Sequence, residues 1–247
     1  MNKIIVIKMG GIATKNITPE TIQQLKIWIK QRYKIIIVHG GGKVIEELLI
    51  NAGHTTIKKD GLRITSQSDL PIIKEALFNH VGAQLTAYLK KQNIAVNHLK
   101  EKQLSFIQAE YLNYKIYGSV GTSIQINPNY INDLLNKNNI PVLASLGTHI
   151  NGELININAD HLATAIAISL KAQKLILMTD VKGVIENGKL INRLHINEVQ
   201  TKIKENIITG GMIPKIESAV DTVKAGVNKV IIGDNLLTGT VIEGNIK

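Results

Sequence analysis

Two glycine clusters follow apolar segments near the start of the chain. Gly10–Gly11 follows Lys3–Lys8 with only Met9 between, and Gly40–Gly42 follows Lys34–Val38 with only His39 between. Runs of β-branched residues of this length predict buried strands. A glycine turn after such a strand allows backbone N–H groups to approach an anion closely. Either cluster alone is also explained by a tight turn, but the pair predicts a site for phosphate or carboxylate oxygens.

Two cationic side chains accompany these turns. Lys8 is the last residue of the first predicted strand, and Arg63 ends the short loop Gly61–Arg63. Lys8 is explained equally well as a strand-end lysine that reaches solvent, and Arg63 as half of a surface ion pair. Beside glycine turns, however, an ammonium can meet a phosphoryl group, and a guanidinium can bind a carboxylate with two hydrogen bonds.

Two later segments place polar groups at the start of predicted helices. Asn156–Asp160 carries two amides and a carboxylate, of which a helix N-cap would explain one. Gly210–Lys215 combines a glycine pair, a first-turn proline and a lysine. Asp160 is the one acid in this set, so the set favours charge stabilisation over proton abstraction. Such a set suits a substrate whose reacting group is a carboxylate, because a carboxylate is already ionised at neutral pH and needs no base.

Familiar nucleotide and metal signatures do not match. A Walker A element would need glycine at Ile37 and a hydroxyl residue at Val44, and the places for the third glycine of a G-x-G-x-x-G element hold Ala13 and Ile45. The chain has no cysteine and its seven histidines lack metal-ligand spacing. We therefore expect neither disulfides nor a metal held by protein ligands.

Composition predicts an ordinary soluble globular protein. The 247 residues are 44% hydrophobic and 19% charged, enough for one large domain or two closely joined lobes. No apolar run approaches the roughly 18 residues of a membrane span, and no signal peptide is apparent, so we expect no membrane association and a cytoplasmic location. The net charge of +10 is spread along the chain with few aromatic residues, and so does not favour nucleic-acid binding.

The elements that must position these residues alternate between strand and helix. Such alternation predicts the α/β class: a mainly parallel open sheet with helices on both faces, a three-layer sandwich. The predicted strands are Lys3–Lys8, Lys34–Val38, Ile140–Ser145, Leu175–Met178 and Lys229–Ile232. The predicted helices are Thr18–Arg32, Val44–Leu49, Asp69–Lys91, Asn127–Asn138, Asn158–Ser169 and Ile213–Ala225. A short hairpin or loop is predicted at Ile57–Thr65, a strand-rich zone over residues 93–126, and a hairpin, from Asn187-Gly188, at Val184–Ile191.

Six motifs occur in an order that resembles the amino acid kinase family, and within it the branch that phosphorylates N-acetyl-L-glutamate. The resemblance extends from residue 3 to Thr240. The motifs are Lys8–Gly11, His39–Gly42, Gly61–Arg63, Asn156–Asp160, Thr179–Gly183 and Gly210–Lys215. Two departures are Ile12–Thr14, where an asparagine-containing loop is common, and Ser119, where many members carry histidine.

The resemblance implies roles for individual residues. Lys8 and Lys215 would neutralise the transferred phosphoryl group, and Asp160 would orient both lysines. The residues implied to hold N-acetyl-L-glutamate are Gly41, Gly42, Arg63, Asn156 and Asn158. The residues implied to line the ATP site are Gly10, Gly11, Thr179, Asp180, Gly210, Gly211 and Met212. Mg2+ is expected on the ATP phosphates, bound mainly through the nucleotide.

The resemblance also implies an N-terminal lobe for the acceptor and dimerisation, about residues 1–172, and an ATP lobe, about residues 173–247. Because the sequence begins at its first strand, without the extra helix of arginine-inhibited members, we expect a homodimer insensitive to arginine. Two alternatives stay open. One is a kinase of this fold for an aminoadipate derivative, carbamate, aspartate or UMP, and the other is a catalytically silent nucleotide-binding homologue.

Overall fold

The computed structural model describes residues 3–10 and 17–244, and all structural statements below concern these residues. The sixteen strands, in chain order, are β1 Ile4–Met9, β2 Lys34–His39, β3 Lys58–Lys59, β4 Leu62–Arg63, β5 Val96–His98, β6 Ile107–Tyr111, β7 Gly121–Ile126, β8 Ile140–Ala144, β9 Leu146–Thr148, β10 Leu154–Asn156, β11 Lys174–Met178, β12 Ile185–Glu186, β13 Lys189–Leu190, β14 Arg193–His195, β15 Lys229–Gly233 and β16 Thr240–Glu243.

Nine α-helical segments connect these strands. They are α1 Pro19–Lys30, α2 Gly42–Asn51, α3 Leu70–Glu75, α4 Ala83–Lys91, α5 Tyr114–Tyr117, α6 Pro128–Leu135, α7 Ala159–Ser169, α8 Val199–Lys204 and α9 Met212–Lys224. A π-helical segment, Ala76–Gly82, joins α3 to α4, and a 3₁₀ turn spans Glu101–Gln103. None of the helices within residues 3–10 and 17–244 has the length and apolar character of a membrane span.

The central sheet has eight strands in the order β14-β16-β15-β11-β1-β2-β8-β5. All neighbours run parallel except β15 and β16, which are antiparallel. The prediction of a mainly parallel α/β sheet is therefore confirmed. The carboxyl ends of β1, β2, β8 and β11 consequently lie along the same edge, which is where ligands bind in sheets of this kind.

Helices cover both faces of this sheet because its inner strands are apolar on both sides. Alternate residues of β1 and β2 point to opposite faces, which divides the core into two clusters. On one face, Ile4 and Val6 pack with residues of α2, α3, α7 and α9. On the other face, Ile5 and Ile7 pack with residues of α1 and α4, among them Trp28. The result is the predicted three-layer arrangement.

A second sheet, in the order β10-β9-β6-β7, lies against α7 through β7. The sequence predicted a strand-rich zone over residues 93–126 but not β9 and β10. These two strands have three residues each, too few to show a two-residue period. They nevertheless place Asn156, the last residue of β10.

The helix predicted over Asp69–Lys91 is continuous but not regular throughout. Its middle, Ala76–Gly82, is π-helical. Gly82 lies directly against the imidazoles of His98 and His39, and a Cβ there would overlap both rings. The predicted long helix is therefore present, and its central turn is π-helical at the point where the helix backbone meets the imidazoles of His39 and His98.

Candidate functional site

The strand ends bring most of the predicted site residues together around one cavity of about 230 Å3. The cavity opens at the carboxyl edge of the central sheet, between the turn after β2, the β3–β4 hairpin and the start of α7. Its wall consists of Lys8, Gly10, Gly40, Gly41, Gly42, Ile45, Lys58, Gly61, Leu62, Arg63, Val120, Ser145, Asn156, Ile157, Asn158, Ala159 and Asp160. The volume suits a small carboxylic acid.

Arg63 lies in this wall with its side chain only 8% exposed. Its Nη2 donates to the backbone oxygen of Gly42 at 3.0 Å, and Glu46 Oε2 is 3.9 Å from the same nitrogen. Nη1 is buried without a hydrogen-bond partner among the described residues. Burial lowers the pKa of the guanidinium, against the opposing influence of Glu46 and Asp69. A buried cationic donor without an acceptor suits the binding of a carboxylate oxygen.

The two asparagines of the predicted acceptor set differ in their bonding. Asn156 Nδ2 donates to Thr65 Oγ1 at 2.9 Å, and that hydroxyl donates to the backbone oxygen of Arg63 at 2.9 Å. Asn158 caps α7, since its Oδ1 accepts from the backbone nitrogens of Asp160 at 2.8 Å and His161 at 3.3 Å. Both asparagines line the cavity, but the side-chain oxygen of Asn158 is already used by the helix cap.

The glycines of the second cluster begin a helix. Gly41 is the N-cap residue of α2 and has no capping side chain, so the first backbone N–H groups of that helix are available to an anion. A Cβ at Gly41 would lie 2.9 Å from Leu77 Cδ2 and 3.0 Å from Ile45 Cδ1. A side chain at this position would therefore make Leu77 and Ile45 shift.

Lys8 connects the cavity to the adjacent end of β11. Its Nζ lies 2.9 Å from Asp160 Oδ1 and donates to the backbone oxygen of Met178 at 2.7 Å. Lys8 is 8% exposed overall, so it is a held side chain and not a strand-end lysine that extends into solvent. An ion pair with Asp160 and a hydrogen bond to Met178 hold its ammonium at the rim of the cavity.

Lys215 belongs to a second cationic cluster, after β11. Its Nζ donates to Thr179 Oγ1 at 3.0 Å, and the same hydroxyl donates to Asp180 Oδ1 at 2.9 Å. The hydrogen bond from Thr179 lowers the pKa of Asp180, and the charges of Lys215 and Lys8 act in the same direction. The carboxylate is therefore held ionised beside both lysines.

Of the two lysines that Asp160 is expected to orient, the structure places Lys8 in contact with it. Within the described part of the chain, Lys215 makes no ion pair with Asp160 and contacts Thr179 instead. The physical reason is its position on α9, a helix that packs against β15 and β16. From there Lys215 reaches the end of the neighbouring strand β11.

The remaining predicted nucleotide residues surround this second cluster. Gly210 adopts a φ of +53°, and Gly211 is the N-cap residue of α9. A Cβ on either glycine would meet no atom within 4 Å, so the turn faces open space ahead of Met212. Gly10 lies within reach of Lys8, since a Cβ there would be 3.6 Å from Nζ. Gly11 and the loop Ile12–Thr14 lie outside the described residues.

Sequence reasoning missed four residues of the cavity wall, namely Ile45, Lys58, Val120 and Ser145. Ser145 directly follows β8 and could have been found from the same strand-end argument that identified Lys8. Lys58 pairs with Arg63 across the predicted hairpin, which places it beside the same cavity. Val120 lies in an isolated bridge to Asn156, and no local sequence signal indicates it.

Together these groups form a site for two anions side by side. A cavity with a buried arginine adjoins, through Lys8, a cationic cluster that contains Lys215. Such a site at the carboxyl edge of a parallel sheet is typical of a small-molecule kinase.

Comparison with known proteins agrees with this class along almost the whole chain. The model of the "Amino acid kinase family" matches residues 3–234. The chain therefore belongs to the amino acid kinase family, and the resemblance stated from the sequence is confirmed, as is the prediction of a kinase.

Individual relatives match over their full length. A protein of Staphylococcus epidermidis named acetylglutamate kinase is 52% identical over 245 residues, covering 99% of this chain and 100% of that protein. A protein of the same name from Streptococcus sanguinis is 48% identical over 242 residues, covering 98% of this chain and 99% of that protein. The crystal structure of a Streptococcus mutans protein superposes with a TM-score of 0.90 at 45% identity, covering 98% of this chain and 99% of that protein.

Proposed function

We propose that this chain transfers the γ-phosphoryl group of ATP to the side-chain carboxylate of N-acetyl-L-glutamate. The product is N-acetyl-L-glutamyl 5-phosphate, an intermediate of arginine biosynthesis. The names of the bacterial relatives support this acceptor. The observation that carries the proposal is the position of Lys8, which contacts Asp160 in the acceptor cavity and the end of β11 beside the Thr179–Lys215 cluster.

The chemistry needs no general base, because the attacking carboxylate is ionised at neutral pH. The protein has to hold two anions close together and stabilise the charge that spreads over the transferred group. Arg63 and the N–H groups at the start of α2 hold the acceptor. Lys8 and Lys215 approach the transferred group from its two sides, and Asp160 keeps Lys8 in place.

The donor set also fits a magnesium nucleotide. Thr179, Asp180 and the turn Gly210–Met212 provide a hydroxyl, a carboxylate and open backbone at the end of β11, and Gly10 adds backbone beside Lys8. Over residues 3–10 and 17–244, no three carboxylate, histidine or cysteine side chains are grouped as metal ligands. Mg2+ would therefore be held mainly by the ATP phosphates, whose charge it partly neutralises.

The acceptor is tested by trapping acyl phosphates with hydroxylamine. We expect hydroxamate formation with N-acetyl-L-glutamate and Mg-ATP, and far less with L-aspartate, unacetylated glutamate or an aminoadipate derivative. ADP release measures carbamate and UMP, which form no such hydroxamate. The Lys8→Met variant is the control for contaminating kinases. Preference for another acceptor would reassign the cavity, and ATP binding without any turnover would indicate a catalytically silent homologue.

We also propose a cytoplasmic homodimer. The support for a dimer is the edge strand β5, which ends the central sheet after β8. An edge strand can pair with the same strand of a second copy about a two-fold axis. Light scattering during size-exclusion chromatography tests this, and a mass near the 27.1 kDa of a single chain would contradict it.

A further inference from the structure

One short segment provides much of the acceptor cavity's wall. The β3–β4 hairpin lies between the end of α2 and the start of α3, and four of its residues line the cavity. These residues are Lys58, Gly61, Leu62 and Arg63. The position of Arg63 thus depends on how the two ends of this hairpin segment are held.

A partly buried hydrogen bond between two side chains joins those two ends. His54 precedes the hairpin and Asp69 follows it, and His54 Nδ1 lies 2.6 Å from Asp69 Oδ1. The other carboxylate oxygen of Asp69 accepts from the backbone nitrogen of Ser66 at 2.7 Å. The side chains are 28% and 11% exposed, respectively. The pair therefore closes a loop of chain that contains the entire hairpin.

Asp69 is ionised in this position. Its burial would raise the pKa of the carboxyl group, but hydrogen bonds from His54 and Ser66 outweigh burial and lower it below its ordinary value. A buried carboxylate that loses a charged or hydrogen-bonding partner must find another, usually by a local rearrangement. The hairpin ends are the parts free to rearrange, because α2 and α3 pack into the core.

Other contacts fix the hairpin beyond its base. At its tip, Tyr117 Oη donates to Asp60 Oδ2 at 2.5 Å. Along its second strand, the backbone of Thr65 bonds Tyr117 and Ser119, and its hydroxyl accepts from Asn156. The tip and the second strand are thus tied to the protein by contacts independent of His54, so loss of His54 should loosen the base without unfolding the hairpin.

We propose that His54 and Asp69 are a positioning pair for the acceptor site, which holds the β3–β4 hairpin so that Arg63 stays in the cavity wall. The proposal rests on the proposed function for its kinetic consequence. Neither residue lines the acceptor cavity, so the pair acts through the hairpin and not by contact with the acceptor. We expect no such effect on the KM for ATP, because the turns proposed to bind ATP lie after β11 and before α9.

Two variants of His54 test the pair. His54→Ala removes the bond, whereas His54→Asn keeps a side-chain N–H donor at about the position of Nδ1. We expect His54→Ala to raise the KM for N-acetyl-L-glutamate about tenfold, since bonds to charged groups contribute on this scale. The kcat and the KM for ATP should stay within about twofold of wild type, and His54→Asn should restore most of the acceptor KM.

Hydrogen exchange measures the hairpin without any substrate. The amide of Ile64, which donates to Ile57 O at 3.0 Å, should exchange faster in His54→Ala than in wild type and His54→Asn. Glu101→Gln is the matched control, because it removes the exposed Lys74–Glu101 pair, which spans 3.2 Å on the surface. It should change neither the exchange nor the acceptor KM.

The outcomes separate this proposal from the proposed function. Faster hairpin exchange together with a raised acceptor KM supports the positioning pair. Unchanged exchange overturns it, and so does faster exchange with an unchanged acceptor KM, or an equal rise in the KM for ATP. If the wild-type protein does not phosphorylate N-acetyl-L-glutamate, the proposed function fails. The exchange result then still decides whether the pair holds the hairpin, and the KM is measured for whichever acid the trapping assay identifies.

Discussion

Replacing Arg63 with alanine should weaken acceptor binding by an amount that follows from its hydrogen bonds. One nitrogen, Nη2, already donates to Gly42 O, which leaves the buried and unpartnered Nη1 for the acceptor. One hydrogen bond between a charged donor and a carboxylate contributes about 1.5–3 kcal/mol. The KM for N-acetyl-L-glutamate should therefore rise by about 10- to 150-fold.

Arg63→Lys refines the same prediction. Lysine keeps the positive charge but has one nitrogen, which cannot serve both Gly42 O and the acceptor in the geometry of the planar fork. The acceptor KM should rise by about tenfold, less than in Arg63→Ala. The KM for ATP should be unchanged in both variants, since Arg63 lies on the acceptor side of Lys8.

The assay is a coupled measurement of ADP release with each substrate varied at saturating concentration of the other. Calorimetric titration with N-acetyl-L-glutamate gives the equilibrium affinity, because KM equals Kd only when chemistry is slower than dissociation. Arg193→Ala is the control, since Arg193 is 75% exposed and pairs with Glu243 far along the chain from the cavity residues.

An unchanged acceptor affinity in Arg63→Ala would refute this reasoning. It would show that the unpartnered Nη1 serves the fold and not the ligand, and a lower melting temperature would accompany it. A selective rise in the KM for ATP would instead place the nucleotide in the cavity and exchange the two substrate sites.

Two further predictions concern the lysines and the buried histidine. Lys8→Met and Lys215→Met should each lower kcat by about 100-fold or more with near-normal folding, because each removes a charge aimed at the transferred group; near-wild-type kcat in both would remove the proposed mechanism. Burial, with a smaller effect from His98, lowers the pKa of His39 to about 4 in the folded protein. As the pH falls below the ordinary pKa of histidine, the unfolded state therefore takes up a proton before the folded state does. The free energy of unfolding should therefore decrease between about pH 6.5 and pH 4, by on the order of 1 kcal/mol per pH unit, and less so in His39→Gln; equal urea-unfolding profiles of the two proteins over this range would contradict it.

The elements predicted well from the sequence are those whose pattern follows from local residue types alone. β1 and β2 are buried on both faces, so each is a continuous run of Ile and Val between polar residues. The Asn187-Gly188 turn is equally local, and both residues adopt the positive φ angles, 49° and 74°, that such a hairpin requires. By contrast, the edge strand β14 and its neighbour β16 are short and only half-buried, so their sequences do not differ from that of a loop.

The candidate site likewise contains residues that could be placed from the sequence and others that could not. Lys8 could be placed from the sequence because a parallel sheet brings all its strand ends to one edge. The partners of Lys215 could not, because they depend on the angle at which α9 crosses the sheet. Likewise, the bond between Asn156 and Thr65 joins residues 91 positions apart, and no local pattern indicates it.

Ser119 shows which observations support the acceptor. It stands where many family members carry histidine, but its side chain is fully buried. Its backbone nitrogen donates to Thr65 O at 2.7 Å, and its oxygen accepts from Asn156 N at 2.9 Å. The neighbouring Val120, not Ser119, lines the cavity. The serine therefore changes packing behind the wall and not a cavity-lining side chain, so on the proposed function Arg63 and the β3–β4 hairpin are the parts of the wall through which variants would test the choice of acceptor.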